Sequence, residues 1–412
     1  MRATGLLVLL LLVAGCTGPG ADDAATPAAP GAARFLAPQD LGAGGPEPVI
    51  VFSPEGDRIY VAAQDPNGGG PRVFISRDGG ATFAVKRPTT EGGGEVDIAA
   101  GPGGMVYVTQ LGARGNVVSV SRDRGETWST SPLGGASQYF DREWLAVDGQ
   151  GRVYVVAREF GQTASAGVAR SDDRGLTFPP RGKAWTALDE PGEANGPLVA
   201  VGNAVHLIYV CRGGDTVCLS TSRDGGITWT QRVVAERRAS VANVYPALAA
   251  TGSGLLATWS DASEGALAVY VAHSSDGVSW SAPRRVSPEG GTSTLPWVAA
   301  RGSVAWLVYL RVDRPLTATD CPDAAGAGWI PYAQPLTADG RAAGDAHALT
   351  RAPVHTGIIS PPVGVTCSGG ARDRNFGDFF TAVVSPSGKL IAAVSTDEGT
   401  PESTRNLIIR EN

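Results

Sequence analysis

Ser121–Trp128 reads SRDRGETW, and the same pattern, Ser-x-Asp-x-Gly-x-Thr-aromatic, recurs as SRDGGATF at Ser76–Phe83, SDDRGLTF at Ser171–Phe178 and SRDGGITW at Ser222–Trp229. A fifth copy, SSDGVSW at Ser274–Trp280, is one residue shorter. Its aspartates, Asp78, Asp123, Asp173, Asp224 and Asp276, fall 45, 50, 51 and 52 residues apart. A period of that length is one supersecondary unit, and several units in series make a propeller, solenoid or array.

Each copy has a local physical meaning. Asp-x-Gly between apolar runs is a turn in which Asp accepts backbone N–H groups and Gly supplies a positive φ. The Ser and Thr hydroxyls satisfy backbone groups that the turn leaves over. The closing Phe or Trp starts the next strand and buries a large apolar surface. Five near-identical aspartates suit a repeated structural staple better than catalysis, which needs one constellation.

Upstream of each copy lies an apolar strand: Arg58–Ala63, Met105–Gln110, Arg152–Ala157, Val205–Val210 and Leu255–Ser260, with two more at Ala305–Leu310 and Lys389–Val394. A shorter apolar run precedes each, as at Val49–Phe52 and Leu145–Val147. Continuous runs of this length suit strands buried on both faces, which radially arranged four-stranded sheets provide. The chain therefore reads as an all-β propeller of seven four-stranded blades over residues 34–412. Six blades with a separate tail is the other arrangement the pattern allows. The sixth blade lacks an Asp turn and is enlarged between Arg311 and Asp378. The seventh shows three strands, so Arg34–Ala37 is expected to supply its outer strand and close the ring.

Composition narrows the setting. The net charge of −6 gives no support for nucleic-acid binding. Residues 1–15 read as an export signal, with Arg2, an apolar stretch at Leu6–Val13 and small residues before Cys16. Residues 16–33 read as a flexible tether rich in Ala, Gly, Pro, Thr and Asp. Setting Cys16 aside, four cysteines remain, an even number suited to an oxidising compartment. Cys211 and Cys218 flank the turn RGGDTV and are expected to pair across it, leaving Cys321 with Cys367 to pin the blade-six insertion. No metal or cofactor is expected, because the four His residues do not stand at ligand spacing with Cys. Nothing in the pattern signals an oligomer, and the chain is expected to be a monomer.

In a propeller the Asp turns join third to fourth strands and share one face. The loops entering each first strand emerge on the other face, around the channel mouth, where pockets form. Asp141-Arg142-Glu143-Trp144 enters blade three there, and Arg372-Asp373-Arg374-Asn375-Phe376-Gly377-Asp378 enters blade seven. Arg158, Arg212 and Arg311 close second strands on the same side, and Glu95, Asp97 and Tyr245 enter from it. Arginines suit an anionic ligand group, and paired carboxylates can work as acid and base on a sugar.

The boxes resemble the Asp-box, or BNR, repeats of bacterial sialidases and their propeller relatives, over residues 35–412. Phrases such as DREWLAVDGQGRVYVV and FGDFFTAVVSPSGKLIAAV are similar to those of exported sialidase-like proteins. The run Val13-Ala14-Gly15-Cys16 resembles a bacterial lipobox, which implies that Cys16 is lipidated and that the membrane is met through that lipid alone. The sialidase resemblance implies an arginine triad for a substrate carboxylate, a Tyr–Glu nucleophile pair and an Asp acid/base. The early Phe/Tyr-Arg-Ile-Pro motif of that family is missing here: Pro48–Gly56 reads PVIVFSPEG. Sialidases commonly have six blades, and Asp boxes recur in propellers without activity.

Two functions follow. One is a lipid-anchored propeller outside the cytoplasm that binds glycan or protein at the channel face, with Arg142, Arg158, Arg212, Arg311, Arg372, Arg374 and Tyr245 as ligand contacts. The other is an exo-glycosidase of sialidase type, with Asp141, Glu143 or Asp378 as acid/base.

Overall fold

The computed structural model describes residues 35–412 except 91, 113–114, 134–139, 160–164, 187–191, 237–244, 317–325, 360–374 and 398–402. The expected signal and tether, Cys16, Cys321, Cys367, Arg372 and Arg374 lie outside the described residues.

Seven four-stranded antiparallel sheets form the blades of a β-propeller. Blade one runs Val49–Phe52, Ile59–Ala63, Arg72–Ser76 and Ala84–Lys86 in spatial order, and blades two to five repeat that simple meander. The second strands are the most deeply buried: all five residues of Ile59–Ala63 and all eight of Ala204–Cys211 are buried. Neighbouring blades cover both faces of these strands, so their apolar runs do not alternate. The Asp boxes sit where expected, between third and fourth strands of blades one to five.

Blade seven closes the ring, with one correction to the expected strand. Its first three strands are Thr381–Val384, Leu390–Thr396 and Arg405–Arg410, and the fourth is Gln39–Ala43 rather than Arg34–Ala37. The chain already touches the last strand earlier, where Leu36 N–H donates to Arg410 O at 2.8 Å. Pro38 has no N–H to give, so the regular ladder, Gln39 opposite Ile408, begins only beyond it.

Blade six holds the second correction. It contains Thr292–Arg301, Val304–Val312 and Gly328–Leu336, with His347–Ala348 and His355–Thr356 both pairing to the third strand. Its third strand ends in a turn, Thr337-Ala338-Asp339-Gly340-Arg341, that does the work of an Asp box. Thr337 Oγ1 donates to Asp339 Oδ1 at 2.6 Å, and Gly340 takes φ +78°.

Glycine in these turns is required by contact as well as by φ. A Cβ on Gly125 would stand 2.5 Å from Ile75 Cδ1, one on Gly175 2.8 Å from Val120 Cγ2, and one on Gly340 2.8 Å from Leu256 Cδ2. Each of these partners belongs to the preceding blade. The turn is therefore a joint between blades, and the blade-six version keeps the joint while losing the motif.

The expected bridge across the blade-four turn is present: Cys211 and Cys218 are disulfide-bonded, with Cα atoms 6.0 Å apart.

Candidate functional site

Among the described residues, four first strands carry a β-bulge: between Gly93 and Val96, Asp141 and Trp144, Asn195 and Leu198, and Thr294 and Trp297. A bulge re-aims the side chain at the extra residue. In blade three that residue is Arg142, held at φ +53°, and in blade six it is Leu295, at φ +48°. A non-glycine residue in this region costs about 1–3 kcal/mol and persists only where its surroundings enforce it.

Arg142 has such surroundings. It is 4% exposed. Its Nη1 donates to Glu47 Oε2 at 3.2 Å, and its Nη2 lies 2.9 Å from both Glu95 Oε1 and Asp378 Oδ2. Its backbone N–H donates to Glu95 Oε2 at 2.6 Å. The guanidinium lies 4.3 Å from the ring centre of Tyr245 and 5.3 Å from that of Phe379, both within cation–π range. Residues leading into blades one, two, three, five and seven thus meet at one arginine, which places it on the ring axis.

The acids are fixed in turn. Glu47 also takes a positive φ, +60°. Its Oε1 accepts the Asp378 N–H at 2.9 Å and its Oε2 accepts from Gln64 at 3.3 Å. The close approach needs Gly377, at φ +89°: a Cβ there would stand 2.4 Å from Glu47 Cγ. Trp144, Phe379 and Trp297, from three blades, pack against one another at 5.1 to 6.2 Å between ring centres.

Carboxyls outnumber the arginine, and their titration follows. Burial would lower the Arg142 pKa, but Glu95, Glu47 and Asp378 more than offset it and hold the guanidinium charged. Burial lifts Glu95 to about 8, against the pull of Arg142. Burial also lifts Asp97 to about 7, although it accepts the N–H groups of Leu145 and Ile98 at 2.6 and 2.8 Å and so links blade two to blade three. Glu143 is 3% exposed, and neither of its oxygens has a hydrogen-bond partner among the described residues. Burial, followed by the nearby Glu95 carboxyl, drives its carboxyl well above the ordinary range.

Among the expected site residues, the structure brings Arg142, Asp378 and Tyr245 together and sets Glu143 beside them. Asp141 stands on the bulged strand, paired in register with Arg158 on the second strand of blade three. Arg212 is exposed at φ +53° in the tight turn Arg212–Gly214 under the disulfide. Arg311 serves blade six instead: its Nε donates to Asp313 Oδ1 at 2.9 Å, and its Nη atoms donate to Pro288 O and Glu289 O at 2.9 and 3.1 Å. Burying a guanidinium at that turn required local acceptors, which removes it from the axis. The residue missed was Glu47. Its signal was an acid between two prolines, Pro46-Glu47-Pro48, directly ahead of a first strand. Among the described residues no group of three or more His, Cys, Asp or Glu is arranged to hold a metal ion.

No protein-family model matches the chain. No curated protein matches it either. Solved structures share its architecture. A protein of unknown function from Dyadobacter fermentans is 16% identical, over 92% of this chain and 99% of its own, at a TM-score of 0.52. A fungal alcohol oxidase of the AA5 family, in complex with copper, is 10% identical over 92% of this chain and 76% of its own, at a TM-score of 0.57. Sialidases are among the matching structures: the Hadza microbial sialidase Hz136 is 15% identical over 65% of this chain and 63% of its own, at a TM-score of 0.46. At these identities the likeness concerns the fold alone.

Proposed function

We propose that this chain is an exported, lipid-anchored propeller that binds glycan at its channel face without hydrolysing it. One observation carries the reading: both Nη groups of the arginine on the axis are already paired, with Glu47, Glu95 and Asp378. A sialidase-type site needs guanidinium groups free to clamp a substrate carboxylate. This cluster offers the reverse, an excess of carboxyl oxygens around one buried cation. Such oxygens accept hydroxyl protons, which suits a neutral saccharide. Glu95, whose side chain is 18% exposed, is the member that reaches solvent. Glycan is preferred over other ligands because the Asp boxes resemble those of glycan-acting propellers.

The test uses the soluble chain in two assays. A glycan array is expected to return neutral saccharides, with binding lost in Glu95→Gln. A fluorogenic sialoside is expected to stay intact. Turnover of that sialoside, or an array with no saccharide bound, overturns the proposal. Acylation is tested by labelling cells with a fatty-acid analogue; Cys16→Ser should abolish the label.

A second reading, glycoside hydrolysis, is favoured by Glu143. A buried carboxyl whose pKa is raised, next to a second carboxyl, is the pairing that acid/base chemistry on a glycosidic bond uses. Release of aryl alcohol from neutral aryl glycosides, abolished by Glu143→Gln with the fold intact, would establish it over binding alone.

A further inference from the structure

The opposite face carries a feature that the glycan reading does not use. In each Asp box the residue between Gly and Thr or Ser stands at the tip of the turn. In blades three, four and five it is Leu176, Ile227 and Val278, and these side chains are 63%, 54% and 49% exposed. Blades one and two hold Ala81 and Glu126 at the same position. The three aliphatic groups are not on loose loops. Each backbone N–H is held by its box aspartate: Leu176 by Asp173 at 3.0 Å, Ile227 by Asp224 at 3.1 Å and Val278 by Asp276 at 2.8 Å. Three consecutive blades therefore present one rigid aliphatic side chain each toward the same side.

Arginines accompany them. Arg174, Arg223 and Arg232 are exposed, and none has a carboxylate partner among the described residues. Among the described residues Arg223 donates to Asp276 O, at 3.4 Å, and Arg232 to Gln231 O, at 2.8 Å. These two line a groove of 360 Å³ between the blade-four and blade-five boxes, together with Thr221, Thr228, Thr230 and Val278. The groove's own carboxylate, Asp224, is turned onto the Thr228 hydroxyl at 2.5 Å and the Ser222 hydroxyl at 2.8 Å. These arginines stand beside box aspartates whose oxygens are already taken up within their own turns, by the Thr177 and Thr228 hydroxyls and the Ser279 N–H.

We infer that the Asp-box face of blades three to five docks on an anionic phospholipid surface. The aliphatic side chains enter the headgroup boundary, and the arginines meet lipid phosphates. Single aliphatic groups separated by polar turns make no continuous apolar patch for a protein partner to cover. Lipid headgroups, by contrast, fill the spaces between such anchors. Docking on this face turns the Arg142 side outward, away from the membrane.

The test is co-sedimentation of residues 17–412, which hold every described blade and lack the acylation site, with two kinds of vesicle. Vesicles of mixed phosphatidylglycerol and phosphatidylcholine should bind the chain, and phosphatidylcholine alone should not. The triple variant Leu176→Ser, Ile227→Ser and Val278→Ser should lower partitioning roughly tenfold or more. Arg223→Gln with Arg232→Gln should erase the preference for phosphatidylglycerol and the salt dependence of binding. Both variants should melt as wild type does and keep any glycan binding, since they lie on the other face; a failure here thus leaves the channel proposal standing. Equal binding to both vesicles, no binding, or variants that partition as wild type does overturn the inference. Self-association lost in the same variants without vesicle binding also overturns it.

Discussion

The two faces of the propeller use carboxylates in opposite ways. On one face the box aspartates lie at the surface, and neighbouring donors hold their pKa down: Asp123 and Asp173 sit at about 2, first because of the Thr127 and Thr177 hydroxyls. On the other face Glu95, Asp97 and Glu143 are lifted by burial. A box aspartate finds its donors within four residues, so the motif works wherever it is placed. An axial carboxyl depends on partners from other blades, so it works once. Repetition in sequence marks the first kind and cannot mark the second.

The largest way to break this contrast is Arg142→Met. Removing the cation leaves buried carboxylates facing one another, and breaking a buried pair in this way costs about 3–5 kcal/mol. Denaturant unfolding should show that loss, and neutralising Asp378 and Glu95 in the same chain should recover part of it. A loss no larger than that of an exposed ion pair would mean that the cluster is solvated.

Next is Gly125→Val on the box face. A β-branched residue at φ +91°, with a Cβ 2.5 Å from Ile75, combines backbone strain and overpacking, about 3 kcal/mol together. The change touches no charge, so the loss should be the same at pH 5 and pH 8.

The pH profile separates the faces directly. For Asp123 and Asp173 the folded pKa is depressed, so their stabilisation is complete above about pH 4 and is lost as pH falls through about 2. For Asp97 and Glu95 the folded pKa is raised. Stability is then full below the unfolded value, near 4, and declines as pH rises through about 7 to 8. Wild-type stability should therefore fall between pH 5 and pH 8. Glu143→Gln, which removes a titrating carboxyl held well above its ordinary range by burial, should flatten that fall. A profile unchanged by the substitution would show that Glu143 stays solvated.

The smallest effect expected is from Ser121→Ala. The buried hydroxyl accepts from Gly125 N at 2.7 Å and donates to Asp123 Oδ1 at 2.7 Å, and its loss should cost about 1 kcal/mol. One box of five should soften without opening the ring.

Much of the fold was legible because its signals are local. Blades one to five announce themselves through Asp78, Asp123, Asp173, Asp224 and Asp276, each a few residues from its own hydrogen-bond donors. Blade six hid its turn because Thr337–Arg341 keeps only the hydroxyl, the Asp and the Gly. The closing strand was displaced because Pro38 governs where a ladder can start. For the candidate site, Arg142, Glu143, Asp378 and Tyr245 were legible as unrepeated polar residues at strand entrances. Glu47 was not, since its partner Arg142 is 95 residues away and Asp378 is 331. Arg311 was misplaced because its acceptors lie within its own blade, at Asp313 and at Pro288 and Glu289 ahead of the first strand.

The sequence by itself determined the repeat, the four-stranded unit and the face on which each connection emerges, because hydrogen bonds within a turn and apolar periodicity are written in neighbouring residues. Only the tertiary structure decided that a single arginine, held in a left-handed bulge, would gather Glu47, Glu95 and Asp378 on the axis. Blades arranged in a ring bring their inner strands together at the centre, so residues far apart in the chain become neighbours there, and burial then sets which of them keeps its charge.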